Sequence, residues 1–289
     1  MRINKLTLAL LALSFFTLSC SSDDDNNSTP INLQDLQVTI DENPTNGDFV
    51  GTVQSNSSSS LTFNIVSQTP AGALEIDSTT GELTVLDNGL FDFETNPIIT
   101  ATVSAAGATN QSTITINLDN VNEIGDFNHG GIVFWVDPTD NTKGLVCAVT
   151  DQSSSIRWHD TQQPSITGTT SISLQTGSTN TDFIIASLGS NFAAGVARAY
   201  NGGGFTDWFL PSVDELKEMS NNRAAIDATA AANSGTALVA EPANVSNGYW
   251  SSSQESNPGR VYLVNLLVAG ESAGFATNIA RVRAVRAFE

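Results

Sequence analysis

The chain has 289 residues, 40% of them hydrophobic, enough for a sizeable core and, at ordinary domain size, for about two domains. Thirty acidic residues face 11 basic ones, for a formal net charge of −19. Phosphate recognition needs a basic patch, so this balance argues against nucleic acid as a partner.

The charge is unevenly spread. No Lys or Arg lies between Lys5 and Lys143, an interval that holds 18 of the 30 acidic residues. From Lys143 onward there are 12 acidic and 9 basic residues, a net of −3. The N-terminal half carries nearly all of the negative field, which attracts cations and disfavours anionic membrane surfaces.

The chain opens with a short basic stretch, "MRINK", and an apolar run, "LTLALLALSFF". The run is too short for a typical transmembrane helix. It leads to "TLSC", a box that ends on Cys20. This resembles the bacterial lipoprotein signal, which implies cleavage before Cys20 and acylation of its thiol and new amine; residues 1–19 are then the signal peptide. A plain secretion signal or membrane anchor is the alternative. Residues 20–30, "CSSDDDNNSTP", read as an acidic flexible tether. "SSDDD" directly after the cysteine resembles the surface-export signal of some Gram-negative lipoproteins, which implies an outer-membrane protein facing outward, touching the membrane through its lipid anchor only. With Cys20 acylated, Cys147 has no partner for a disulfide. It stands in the apolar run "GLVCAV" and reads as a buried small hydrophobe.

Residues 31–123 are predicted to be all β. "LQVTI", "FVGTV", "LTFNIV", "ALEID", "GELTV", "IITATVSA" and "STITINL" are short, rich in β-branched residues, and separated by Ser, Asn, Gly and Pro clusters. Seven such strands at this spacing predict a β-sandwich. Within it, "LFDFETNP" sets Asp92 and Glu94 one residue apart with no basic residue nearby. On an extended chain they share a side, where two like charges repel unless a cation or water separates them.

The order "IDENPTNGDFVGTV", "LEIDSTTGELTV", "FDFETNP", "TINLDNVNE" resembles a cadherin-like repeat across the whole segment. The resemblance implies a Greek-key sandwich with calcium held by an acidic residue near the start, an Asp-x-Glu pair and a terminal Asp-x-Asn-Asp-like motif. The matching positions are Glu42, Asp92, Glu94, Asn120, Asn122 and Glu123. Their carboxylates and amides are the oxygen ligands that calcium prefers. Asn120 stands where the motif commonly has Asp, and no second cadherin-like repeat follows to supply further ligands; Asp126 or Asp137 could substitute, though no motif marks either. The alternative is a calcium-free sandwich with solvated acidic ends.

Residues 126–289 hold all four tryptophans. "GGIVFWVD" and "GLVCAVTD" predict strands. Phe183, Ile184, Leu188, Phe192 and Val196 recur at helical spacing, with Asn180 or Thr181 as cap. "PSVDELKEMSNN" predicts a second helix with Pro211 at its first turn and Asp214 and Glu215 at its positive end. "YWSSS", "RVYLVNLLV" and "ARVRAVRAF" predict late strands, making the domain α+β. The order "GGIVFWVD", "DWFLPSVDEL", "YWSSSQ", "VRAVRAF" resembles the Lcl-C family. The resemblance implies a C-type-lectin-like fold and ligand binding at the cell surface, with carbohydrate or a surface protein as partner.

The residues leave two readings of the ligand surface. Trp158, Tyr249 and Trp250 could stack on sugar rings, yet "WFLP" and "YWSSS" read more readily as core and turn elements. Arg281, Arg283 and Arg286, taken as one strand face, either hold an anionic glycan or pair with acidic neighbours. An enzyme is not expected. His129 and His159 are the only histidines and lack metalloprotease spacing. "WHD" with Ser251–Ser253 permits a hydrolase only if geometry brings them together. The sequence therefore predicts a cell-surface lipoprotein for adhesion or ligand binding, a glycan first, with a weakly calcium-binding cadherin-like module as spacer. A structural or assembly lipoprotein without glycan affinity is the alternative, and a hydrolase comes third.

Overall fold

The computed structural model describes residues 29–162, 164, 166, 171–239, 248–255 and 259–289. The signal segment, Cys20 and most of the tether lie outside the described residues. Contacts divide the chain into two units, one ending at Leu118 and the other running from Asp119 to Glu289, slightly upstream of the expected boundary.

The first unit contains the seven expected strands: β1 (Leu36–Asp41), β2 (Phe49–Thr52), β3 (Phe63–Thr69), β4 (Leu74–Ile76), β5 (Glu82–Val85), β6 (Ile98–Ala105) and β7 (Ser112–Asp119). They form a sandwich of two sheets, ordered β1-β7-β6-β3 and β2-β5-β4. Alternation sets the register. Antiparallel β6 and β7 align Ile99 with Ile116 and Ala101 with Ile114. Ile99, Val103, Ile114 and Ile116 are all fully buried, meeting Leu74, Leu83 and Phe91 in the core. Each such side chain contributes roughly 1.5–3 kcal/mol by leaving water. A one-residue slip would turn the whole set outward.

The turn between β4 and β5 explains the spacing of "IDSTTGELTV". Asp77 Oδ1 accepts the N–H groups of Thr79 and Thr80 at 2.8 and 2.9 Å and the Thr79 hydroxyl at 2.6 Å. Those bonds hold its carboxyl down at about 2. Gly81 closes the turn at φ +74, where a side chain would also crowd Phe63 and the Val53 carbonyl.

The second unit has β8 (Phe127–Asn128), β9 (Gly131–Asp137), β10 (Asp140–Cys147) and β11 (Ser153–Arg157), then α1 (Gly177–Leu188), α2 (Ala193–Arg198), α3 (Val213–Asn221) and α4 (Arg223–Ala232). It ends with β12 (Tyr249–Gln254), β13 (Arg260–Asn265), β14 (Gly270–Phe275), β15 (Ile279–Val282) and β16 (Val285–Phe288). The sheets are ordered β16-β10-β9-β8 and β11-β15-β12-β13-β14.

Two local expectations change. Helix α1 starts at Gly177, so Asn180 and Thr181 are inside it rather than capping it. Both are spent on tertiary bonds: Asn180 Nδ2 donates to the Ser171 carbonyl, and Thr181 Oγ1 accepts the Leu210 N–H at 3.0 Å. Helix α3 starts one residue after a true cap, Ser212, whose Oγ accepts the Glu215 N–H while Glu215 Oε2 accepts the Ser212 N–H at 2.8 Å. Glu215 is fully buried, and its Oε1 also accepts the Gly177 N–H at 3.2 Å, joining the starts of α1 and α3.

Candidate functional site

In the first unit the chain from Phe91 to Pro97 is a turn, not the extended segment expected. Asp92 builds it: Oδ1 accepts the Thr95 N–H at 2.9 Å, Oδ2 accepts the Thr95 hydroxyl, and the Asp92 carbonyl accepts the Asn96 N–H at 2.7 Å. Glu42 follows the end of β1 and is only 4% exposed. Its Oε2 accepts the Phe93 N–H at 2.7 Å, fixing this carboxylate against the turn.

The result is a cluster of three carboxylates. Oxygens of Glu42, Asp92 and Glu94 all lie within 4.8 Å of one another. Calcium takes oxygen ligands at about 2.3–2.6 Å, so two ligands across the ion stand about 5 Å apart at most. The spacing therefore fits such an ion, with backbone carbonyls and water completing its shell. No basic residue stands between Lys5 and Lys143 in the sequence.

The other expected ligands belong to the second unit. The Asn122 side chain is engaged there: Oδ1 lies 2.7 Å from His129 Nε2, and Nδ2 donates to the Asn141 carbonyl at 2.8 Å. Asp126 Oδ2 accepts the Glu123 N–H at 2.8 Å, and Asp137 Oδ1 caps its own turn through the Thr139 N–H and hydroxyl. Thus Glu42, Asp92 and Glu94 come together within one unit, while Asn120, Asn122 and Glu123 lie in the segment that opens the other.

The aromatic ligand platform is corrected. Trp158, Tyr249 and Trp250 are at most 1% exposed. Trp158 Nε1 donates to the Ser251 carbonyl and Trp250 Nε1 to the Ile156 carbonyl, both at 2.8 Å, so each indole is a core element with its polar atom satisfied. Tyr249 Oη lies 3.1 Å from both Asp151 oxygens and accepts the Val239 N–H.

The arginine face is corrected as well. "ARVRAVRAF" is two strands in different sheets, β15 and β16, broken at Arg283 and Ala284. Arg283 is fully buried: Nε donates to Asp151 Oδ1 at 2.7 Å, Nη1 to the Ala148 carbonyl and Nη2 to the Thr236 carbonyl. Arg286 pairs with Asp207 at 2.6 Å and lies over the Phe205 ring. Arg281 differs, as its side chain is 23% exposed and its Nη1 is 3.3 Å from Asp151 Oδ2. Sequence reasoning missed Asp151, which organises Tyr249, Arg281 and Arg283, because a lone Asp in "VTDQ" carries no motif.

The hydrolase constellation does not assemble. His159 Nδ1 accepts the Thr161 N–H at 3.0 Å, so its 3.2 Å approach to Asp160 is no oriented Asp–His bond. Ser251, Ser252 and Ser253 are buried, and the Ser253 hydroxyl donates to the Ser171 carbonyl. Cys147 is fully buried, which pushes its thiol up to about 12 and leaves it inert as a nucleophile.

Residues 147–286 match the family model of the Lcl C-terminal domain. Among solved structures the chain is similar to Drosophila N-cadherin EC1-4, at 20% identity and TM-score 0.28, covering 32% of this chain and 25% of that one. It is similar to mouse cadherin-23 EC22-24, at 18% identity and TM-score 0.27, covering 31% and 32%. It is also similar to the third cadherin domain of human protocadherin 7, at 17% identity and TM-score 0.29, covering 35% and 95%. The chain thus spans about a quarter and a third of the first two. No curated protein matches it.

Proposed function

We propose that this protein is an acylated, outward-facing bacterial lipoprotein that binds a ligand at the cell surface, with its β-sandwich as a calcium-holding spacer. The observation that carries the reading is the cluster of Glu42, Asp92 and Glu94, whose oxygens lie within 4.8 Å of one another, in the stretch between Lys5 and Lys143 that has no basic residue. Three carboxylates this close repel, and a hard divalent cation offsets that repulsion with the oxygen ligands it prefers. The ordered cadherin-like motifs and the match of residues 147–286 to the Lcl C-terminal domain support a surface-binding role. The second unit, of C-type-lectin-like sequence pattern, takes the ligand, a carbohydrate before a surface protein. The protein has no catalytic role in this reading.

Calcium is tested on the full chain by thermal unfolding. The midpoint rises with millimolar calcium and falls with chelator, and D92A with E94A abolishes the response. A ligand at a hundredfold excess over its Kd stabilises by about 2.7 kcal/mol. A wild-type curve indifferent to both calcium and chelator leaves only solvated carboxylates.

The second reading, a structural or assembly lipoprotein without glycan affinity, is favoured by the burial of Trp158, Tyr249 and Trp250. A glycan array with the full chain separates the two.

A further inference from the structure

Asn122 is held by four hydrogen bonds, all within the second unit. Its N–H donates to Asn141 Oδ1 at 2.8 Å, and its carbonyl accepts Asn141 Nδ2 at 2.9 Å. Its own Nδ2 donates to the Asn141 carbonyl at 2.8 Å, and its Oδ1 lies 2.7 Å from His129 Nε2. This network assigns the orientation of both amides. A carbonyl only accepts, so the Asn122 atom that faces the Asn141 carbonyl is nitrogen, and its oxygen faces the imidazole. An amide oxygen only accepts as well, so His129 Nε2 carries the proton.

Both partners of Asn122 are themselves fixed. Asn141 stands in β10 between two turns closed by aspartates. Asp137 Oδ1 accepts the Thr139 N–H and hydroxyl, and Asp140 Oδ1 accepts those of Thr142. His129 has φ +53, the left-handed region that residues other than glycine seldom adopt. Its ring lies flat on Phe288, with centroids 3.9 Å apart, and its carbonyl accepts Arg286 Nη1 at 3.0 Å. Two residues of β16 thus hold the imidazole in a conformation it would not otherwise keep.

The cadherin-like pattern puts Asn122 among the calcium ligands. A calcium ligand turns an oxygen toward the ion. For Asn122 to do so, its oxygen would have to leave the His129 donor, and turning the side chain would also break the Nδ2 bond to Asn141.

Resting on the reading of the first unit as a calcium-holding spacer, we infer that Asn122 is no calcium ligand. It is the centre of a clasp with Asn141 and His129, which ties the entry of the second unit to the β9–β10 hairpin and to β16. Hydrogen bonds fix this segment where the resembled pattern uses an ion. His129 supplies the donor that holds the Asn122 oxygen. Calcium affinity then depends on Glu42, Asp92 and Glu94 and is indifferent to Asn122.

The test reads the clasp and the ion separately in the full chain. All four tryptophans lie in the second unit, so urea unfolding followed by tryptophan fluorescence in chelator reports that unit. Calorimetric titration with calcium reports the ion. Asn122→Asp discriminates, because a carboxylate is the stronger calcium ligand, yet it cannot donate to the Asn141 carbonyl and sets an oxygen against it. It lowers the tryptophan midpoint and leaves calcium Kd within about twofold of wild type. His129→Phe keeps a ring on Phe288 and all three bonds between Asn122 and Asn141, and removes only the donor. It lowers the midpoint by less and also leaves Kd unchanged, and it carries the comparison should Asn122→Asp fail to fold. D92A with E94A does the reverse, abolishing the calcium heat and leaving the midpoint unmoved. A calcium Kd tightened about tenfold by Asn122→Asp or His129→Phe, or weakened as much by Asn122→Ala, overturns the inference and makes Asn122 a ligand. Midpoints unmoved by Asn122→Asp and His129→Phe overturn the clasp. A wild type that takes up no calcium overturns the spacer reading, and the midpoints then decide the clasp alone.

Discussion

Arg283 Nε donates to Asp151 Oδ1 across 2.7 Å, and the arginine side chain is wholly removed from solvent. This pair joins Asp151, four residues beyond β10, to the break between β15 and β16, so the last two strands enter different sheets around one buried charge. Burial alone would discourage the charge on Arg283; Asp151 beside it holds the guanidinium firmly protonated. The pair's two members depend on each other far more than its net worth suggests. Deleting one leaves the other's charge buried and unpaired.

Asp151→Ala is accordingly expected to destabilise the second unit by about 3–5 kcal/mol. Asp182→Ala, at the partly exposed pair with Arg198, changes stability by less than about 1 kcal/mol. Replacing both partners, as Arg283→Met with Asp151→Leu, recovers much of the loss because no charge is stranded. Urea unfolding of the three variants measures the order. A small effect of Asp151→Ala means that the two backbone carbonyls suffice to hold Arg283.

Glu215 gives the second unit a pH dependence of definite sign. Burial raises its carboxyl from 4.5 to about 7, against the opposing backbone hydrogen bonds from Ser212, Gly177 and Gln175. The folded state therefore holds a proton that the unfolded chain releases near its ordinary value. Between about pH 4.5 and 7 the native state binds more protons, and stability falls as pH rises through that window. The loss amounts to a few kcal/mol when complete. Glu215→Gln removes this titration. The difference between wild-type and variant unfolding free energies across the window isolates the group, and parallel curves would show that it stays ionised throughout.

The legible parts of this protein were those set by local pattern. All seven strands of the first unit follow from alternation between turn clusters, since one face of each meets the core. "IDSTTGELTV" shows its turn because Asp77 and Gly81 do their work within five residues. The cluster of Glu42, Asp92 and Glu94 was legible only through the resemblance of ordered motifs, because Glu42 reaches it from the end of another strand. What failed was whatever depended on tertiary choice. "ARVRAVRAF" reads as one strand, but the demand of Asp151 for Arg283 breaks it in two. Asn180 and Thr181 have cap chemistry, yet spend it on Ser171 and Leu210. "GESAGF" has no strand pattern and becomes β14 through its pairing with β13.

Anchoring is tested at Cys20. Cys20→Ala is expected to release the protein from membranes or leave it unprocessed, as no other cysteine near the start can take the lipid. Mass spectrometry of the mature N-terminus decides the matter, and an unmodified terminus mapped elsewhere would falsify the acylation proposal. Replacing Asp23–Asp25 with Ala is expected to reduce protease shaving of whole cells while membrane attachment persists.

The acidic cluster of the first unit makes a prediction whose sign depends on the cation. Glu94 is the exposed member, and Glu42 is the buried one, held by the Phe93 N–H at 2.7 Å. Without a cation, the Glu94 charge adds repulsion toward Glu42 and Asp92. Glu94→Gln therefore raises the unfolding free energy in chelator, by about 1 kcal/mol or less for a charge that solvent partly screens. With calcium bound, the same carboxylate is a ligand, and replacing it with an amide weakens the site. Glu94→Gln then lowers stability at millimolar calcium, by an amount that grows with calcium concentration as binding to the native state is lost. The two effects oppose each other, so the wild-type and variant melting curves cross as calcium is titrated. A mere structural role for Glu94 moves both conditions the same way. Glu42→Gln provides the contrast, since its amide oxygen can keep the Phe93 bond while the buried charge is removed. It is expected to stabilise the calcium-free protein at least as much as Glu94→Gln, because repulsion is screened less at a buried carboxylate. Crossing curves for Glu94→Gln make the cluster a cation site, and parallel ones return it to solvated carboxylates.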